Sequence, residues 1–427
     1  MNNKRIVITG IGIVSPLGND TQTTWKNLLA GKSGVDTIKK FDASTFTTKV
    51  GAEVENFSLA ETTISRKIQR YAIDFTKYAL AAAAEAFNDA AIRPTQTNAT
   101  RWGITVGCGM IAAEFDYLSK FQQQFAADGA VDMAKFGKHG LNSISASQFS
   151  RMQSNAGIGL LAQQFNIQGY TAAVHTACAS GGQGLALGLQ AIRRGDCDYV
   201  LAGGFDSMLN PIGLAGFCLL GALSSHNETP QSASRPFDLT RNGFVLGEGA
   251  AFLILEEYNH AKARNAKIYA ELAGEGTTNS CYRITDSHPD GDGAIQAMQA
   301  AIKDADVALE NIQYVNAHGT STKMNDISET NALKQVFGPQ AKQLAISSTK
   351  GQIGHLISAA GAIEGAFTAL SIQQQKIPMT AHLTTPDPEC DLDYVADKPR
   401  DLTINTAMSN SFGFGGTNSV LIFKAVE

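Results

Sequence analysis

The sequence predicts an α/β protein with parallel strands and helical layers, built as two similar halves. Short apolar runs of strand character alternate with longer helical patterns along the chain. The alternation restarts after Glu256, so residues 1–260 and 261–427 read as two versions of one plan, although no residue repeat is visible. Several strand-like runs end in glycine-rich turns, where α/β sheets place their ligands.

Ile6-Val7-Ile8-Thr9-Gly10 is the first strand, followed by a turn from Gly12 to Gly18. Thr21 to Ala30 is helical, with Asp20 or Thr21 placed to cap it. Lys39 to Ser65 is irregular and polar, and Arg66 to Ala91 reads as one long helix with an Ala-rich face. Trp102 to Gly107 is a strand and Gly107 to Met110 its turn. Ala112 to Ala127 is helical, Gly129 to Ser147 loop-like, and Phe149 to Phe165 helical again. The strand Thr171 to Val174 runs into Thr176-Ala177-Cys178-Ala179-Ser180-Gly181-Gly182, and the helix Gly184 to Arg194 runs out of it. Tyr199 to Gly204 is a strand, and Phe244 to Leu246 pairs with Ala251 to Leu255 through Gly247-Glu248-Gly249. In the second half Ile268 to Leu272, Ile312 to Asn316 and Leu344 to Ser348 are strands, while Gly293 to Asp304, Asp326 to Phe337 and Ala359 to Gln374 are helices. Thr406 to Ser409 and Ser419 to Lys424 form a closing strand pair.

A chain of 427 residues buries a large core. With 44% hydrophobic and 17% charged residues it is globular rather than disordered. A formal net charge of −5 argues against a nucleic-acid partner. Six cysteines with no CxxC pair read as free thiols in a reducing, cytoplasmic setting. No apolar run is long enough to span a membrane, and the N-terminus has no secretory h-region.

Cys178 stands at a strand-to-helix turn among small residues, where the helix N-terminus favours the thiolate, the nucleophile of acyl transfer. The commoner fate of a lone cysteine is a buried, inert one. His318, in Asn316-Ala317-His318-Gly319-Thr320-Ser321-Thr322, and His355, in Lys350-Gly351-Gln352-Ile353-Gly354-His355, each follow a strand and sit beside glycine. Two neutral imidazoles aimed at one oxygen would stabilise an enolate. Zinc is the alternative for two His and a Cys, and the spacing offers no compact ligand pair. The glycines of Asn410 to Asn418 would let a backbone N–H complete an oxyanion hole with that of Cys178 and let the Phe412 ring swing; the alternative is a structural bend. On composition alone, Arg66, Lys67 and Arg70 read as an ordinary solvated face.

These segments together resemble the elongating β-ketoacyl-acyl-carrier-protein synthases of the thiolase superfamily, nearest the KAS II type. The likeness rests on TACASG around Cys178, SRPFD at 234–238, GFVLGEGA at 243–250 and LEEYNHAKARNAKIYAEL at 255–272. It continues in NAHGTST at 316–322, STKGQIGHLISAAGAIE at 348–364 and NSFGFGGTN at 410–418. It implies a thiolase-like fold with a layered α-β-α-β-α core and a decarboxylative Claisen condensation. Cys178 would take an acyl group from the phosphopantetheine of an acyl carrier protein. The N–H groups of Cys178 and Phe412 would hold the oxyanion. Malonyl-carrier protein would then lose CO₂, with His318 and His355 holding the enolate. Lys350 would support the site electrostatically and Glu364 fix it by hydrogen bonds.

The resemblance further makes Phe412 the gating ring, with Phe414 beside it at the substrate, and puts Met110 on the acyl-pocket wall. Thr285, Thr320 and Thr322 would meet the pantetheine arm, and Lys67 and Arg70 the acidic carrier. It implies no metal or organic cofactor, a homodimer or a heterodimer with a related subunit, and no nucleic-acid partner. Lys323 stands where the family usually has Pro, Ser280 where an acidic residue is common, and Gly221 where a basic residue is common. Those departures suggest a more selective carrier, in fatty-acid or specialised polyene or polyketide synthesis. The rival readings are a non-catalytic partner subunit like a chain-length factor, and a Cys-His thioester hydrolase.

Overall fold

The computed structural model describes residues 4–59, 63–109, 114–127, 129–143, 145–283, 285 and 288–426. Its main sheet has ten strands: β1 (Ile6–Val14), β2 (Trp102–Cys108), β3 (Thr171–Val174), β4 (Tyr199–Ser207), β5 (Glu248–Glu257), β6 (Ala270–Asn279), β7 (Tyr314–Asn316), β8 (Ala345–Ser347), β9 (Thr406–Phe412) and β10 (Thr417–Lys424). The helices of the first half are α1 (Thr21–Leu29), α2 (Arg66–Gln69), α3 (Asp74–Ala90), α4 (Phe115–Phe125), α5 (Met133–Ser143), α6 (Ala146–Arg151), α7 (Ala156–Phe165), α8 (Ser180–Arg194), α9 (Pro211–Leu219) and α10 (Tyr258–Ala263). Those of the second are α11 (Asp292–Asp304), α12 (Lys323–Phe337), α13 (Lys350–Ile353) and α14 (Ala360–Gln374).

The strand order is β8-β7-β9-β10-β6-β1-β5-β4-β2-β3. Counted outward from the β1–β6 seam, the halves read β1-β5-β4-β2-β3 and β6-β10-β9-β7-β8, the same connectivity twice. The seam itself is short, pairing Ile6, Val7 and Ile8 with Leu272, Glu271 and Ala270. Helices α8 and α14 pack against each other in the middle, and α3 and α11 cover the outer faces. Every residue of α14 from Ala360 to Ile372 is buried, as expected of a helix enclosed on all sides.

The sheet is mixed, which corrects the expectation of parallel strands. β2 runs parallel to β3 and β4, and β7 to β8 and β9. Around the seam, β1 with β5, β4 with β5, β6 with β10 and β9 with β10 are antiparallel. Strand presence is written in periodicity, but strand direction depends on the connections. The expected helix Arg66 to Ala91 is two, α2 capped by the Ser65 hydroxyl and α3 starting after an extended Ile73. The break lets Ile68, Ala72 and Ile73 join the core that α3 packs into. The segment read as a loop from Gly129 to Ser147 contains α5, and the expected helix Phe149 to Phe165 splits into α6 and α7. Phe244 to Leu246 is no strand of the sheet; it makes single bridges to Leu223 and His355.

The starts of α8 and α14 touch through glycine. A Cβ on Gly361 would lie 2.4 Å from the Gly182 backbone nitrogen, and one on Gly181 2.6 Å from that of Ala362. Both neighbours are main chain, so neither yields without moving a helix. Gly361→Ala is therefore expected to cost about 2 kcal/mol of stability, read as a lower urea midpoint at unchanged slope.

Candidate active site

Two strand-to-helix turns converge where α8 and α14 meet. In the first, Ala177 holds the left-handed φ of +49° and Cys178 lies in the single turn Ala177–Ala179 that feeds α8. The Ser180 hydroxyl latches it, accepting from Thr176 N–H (2.8 Å) and donating to Ala177 O (2.7 Å). In the second, Ile357 holds φ +46° and the turn Ile357–Ala359 feeds α14. A β-branched residue at positive φ is strained, and strain of this kind persists where surrounding packing over-determines it.

Reactive atoms of Cys178, His318 and His355 all lie within 4.8 Å of one another, and all three residues are buried. The His318 and His355 rings meet edge to face at 5.4 Å. His355 is fixed from both sides. Its backbone N–H donates to Val245 O (2.7 Å), and its carbonyl accepts from Gly247 N–H (2.9 Å). Its ring Nδ1 accepts from Ile357 N–H (3.2 Å), so Nε2 carries the hydrogen. That Nε2 is buried without a partner among the described residues.

His318 follows β7 and is held by its backbone. Glu329 of α12 accepts His318 N–H (2.9 Å) and Gly319 N–H (2.8 Å), and also Asn410 Nδ2–H (3.0 Å). Lys350 Nζ donates to His318 O (2.7 Å) and forms a buried ion pair with Glu364. Burial, with the Lys350 charge second, pushes both imidazoles well below their ordinary pKa. Both are therefore neutral at physiological pH. Burial also pushes the Cys178 thiol up to about 12, against the pull of Lys350 and of backbone N–H groups. The helix N-terminus does not win here, so the resting group is a thiol and not the thiolate expected from sequence.

The backbone groups that favour the Cys178 thiolate are its own N–H and that of Phe414 in the glycine-rich loop. Phe412 ends β9 and places its ring 5.5 Å from His318. A Cβ on Gly413 would lie 2.6 Å from Thr176 O, so only glycine brings the loop this close to the nucleophile.

Cys178, His318, His355, Phe412 and Phe414 line one cavity of about 410 Å³, together with Thr285, Thr320 and Thr322. Thr320 and Thr322 hydroxyls lie 3.0 Å apart, and Thr322 caps α12. Lys67 and Arg70 stand exposed on and beside α2, away from the cavity lining. Met110 lies outside the described residues. Sequence reasoning missed Glu329, Val245 and Asp206, whose carboxylate accepts Ser358 N–H (3.0 Å). Each acts through backbone, which leaves no motif of its own.

Residues 3–261 match the β-ketoacyl synthase N-terminal domain, and residues 269–384 its C-terminal domain. The chain belongs to the β-ketoacyl synthase family. It is 41% identical to the 3-oxoacyl-[acyl-carrier-protein] synthase 2 of Staphylococcus aureus strain COL, over 100% of this chain and 99% of that protein. A β-ketoacyl synthase from Burkholderia phymatum superposes with TM-score 0.89 at 32% identity, over 99% of this chain and 100% of that one. A type II polyketide ketosynthase solved with its acyl carrier protein superposes with TM-score 0.88 at 34% identity, over the whole of both chains. The fold is thus the thiolase-like one that the motifs implied.

The trio is close enough to ligate a metal, contrary to what the sequence spacing suggested. In this synthase, however, His355 Nδ1 already accepts Ile357 N–H, which leaves Nε2 as a donor and not a ligand. The nearby Lys350 charge adds to the mismatch. Lys350→Met would leave Glu364 buried and unpaired, with its Oε2 already lacking a partner among the described residues. We expect a loss of about 3 kcal/mol. Glu364 already sits at about 7, and losing Lys350 raises it further. A protonated Glu364 needs no countercharge, so the loss measured by urea denaturation is smaller at about pH 5 than at about pH 8.

Proposed function

We propose that this synthase condenses an acyl group held on Cys178 with a malonyl unit, both delivered on the phosphopantetheine of an acyl carrier protein. The observation that carries this reading is the dry trio of one thiol and two neutral imidazoles at the end of one cavity. Cys178 S–H attacks the acyl thioester. Its proton passes to a ring nitrogen of His318, which, unlike His355, has no backbone donor fixing its tautomer. The N–H groups of Cys178 and Phe412 hold the oxyanion, and the departing pantetheine thiolate takes the proton back. In the second half-reaction the C–C bond to the malonyl carboxylate breaks and CO₂ leaves. The electron pair becomes an enolate whose oxygen accepts from both imidazoles. Its carbon then attacks the Cys178 thioester, the C–S bond breaks, Cys178 leaves as a thiolate that takes up a proton from water to restore the thiol, and the product is a 3-oxoacyl-carrier protein. Neither step needs a metal or an organic cofactor.

A chain-length factor normally lacks the nucleophilic cysteine, which here is present and seated beside both histidines. Lys67 and Arg70 suit an acidic carrier as an exposed basic pair. We also infer a homodimer. β3 ends the sheet with an exposed, unpaired edge, whereas β8 at the other end is buried. Six unpaired cysteines support a cytoplasmic setting, and no helix among the described residues is long and apolar enough to cross a membrane.

Cys178→Ala is expected to form no acyl-enzyme by intact-protein mass spectrometry after exposure to acyl-carrier protein. Cys178→Gln is expected to keep malonyl-carrier decarboxylation, because an amide fills the oxyanion hole. Its CO₂ release should stay level from about pH 8 to about pH 6, because both imidazoles are already neutral across that range. An inflection near the ordinary histidine pKa would contradict the buried, neutral pair.

A further inference from the structure

Among the large exposed apolar side chains, Phe115, Met133, Leu141 and Phe149 lie on α4 to α6, while Leu220 and Met324 line the catalytic cavity and Leu219 precedes Leu220 in the chain. Leu219 ends α9 and is 89% exposed, with Leu220 at 54% and Met324 at 51%. Leu220 and Met324 both line the cavity that ends at Cys178, although one follows α9 and the other begins α12. Two separate elements therefore present apolar side chains to one opening. Gly221 beside them faces open space, since nothing lies within 4 Å of where its Cβ would stand. Lys323 is exposed on the same rim and makes no ion pair among the described residues.

We propose that Leu219, Leu220 and Met324 form an apolar ledge on which the acyl carrier protein docks, with Lys323 meeting its negative charge. The proposal rests on the condensing reading and names the surface that serves it. A thioester on a tethered arm reaches Cys178 only while its carrier is pressed against this opening, so the carrier covers the rim. A second copy of this chain seated there would close the route to Cys178. Three large apolar groups around an opening are a costly exposure unless something covers them, and buried apolar anchors are where docking energy concentrates. Gly221, where a basic side chain is common, leaves the leucines as the main contact. Lys67 and Arg70 then attract the carrier from a distance, and the ledge sets how long it stays.

The test compares Leu219→Ser/Leu220→Ser with the unaltered enzyme on two substrate sets. One set is malonyl and octanoyl thioesters on a type II acyl carrier protein, and the other is the same groups on free pantetheine. Both substituted side chains are solvent-facing, so folding is expected to be preserved and is checked by thermal melting. The expected result is a KM for carrier-borne substrates raised about tenfold, with turnover of pantetheine thioesters unchanged. The rise should persist at high salt, because the lost contact is apolar. An unchanged KM would overturn the ledge, as would an equal loss on both substrate sets, which would place the leucines in the cavity's own chemistry. A change of association state in sedimentation would assign the ledge to contact between copies and overturn it too. Inactivity of the unaltered enzyme on both sets would instead overturn the condensing reading itself.

Discussion

The site depends on main chain touching main chain where α8 and α14 begin. Gly181 and Gly361 let the two helix starts approach to a distance that no side chain tolerates. Each start carries its own strained turn, with Ala177 and Ile357 at nearly the same positive φ. The nucleophile and one enolate donor are thus fixed relative to each other by helix packing, and not by any bond between them. Preorganisation of this kind is set before substrate arrives, so it costs nothing at the moment of reaction.

Dryness does the rest of the electrostatic work. The same burial that keeps both imidazoles neutral also keeps the Cys178 thiol protonated. The buried Lys350 reinforces this choice, since its charge disfavours an imidazolium on either side. Lys350 in turn is tolerable only because Glu364 pairs with it and the His318 carbonyl accepts from it. The ion pair therefore acts on the chemistry through its field, without lying on the path of any proton.

Cys178, His318, His355 and Lys350 were legible because each follows a strand and sits beside glycine or small residues. What stayed hidden acts through backbone or through direction. Glu329 holds two amides of the His318 turn, and Val245 and Gly247 hold the backbone of His355. No spacing rule marks such residues. Strand direction was hidden for a similar reason, because β5 returns antiparallel beside β4 although helix α9 lies between them in the chain.

The repeat of the two halves was also written in residues, but sparsely. His175-x-x-Cys178-x-x-Gly181 in one half becomes His355-x-x-Ser358-x-x-Gly361 in the other. In both, the middle residue lies in the single turn that feeds the buried helix, and the glycine makes the close crossing. The positions shared are those that backbone geometry demands, while the chemistry has diverged between them. In the first half the turn presents a nucleophile. In the second, Ser358 gives its N–H to buried Asp206, and the neighbouring Ile357 N–H fixes the His355 ring. One strained turn, used twice, thus yields an acyl acceptor and an enolate donor that face each other because the helices behind them already touch.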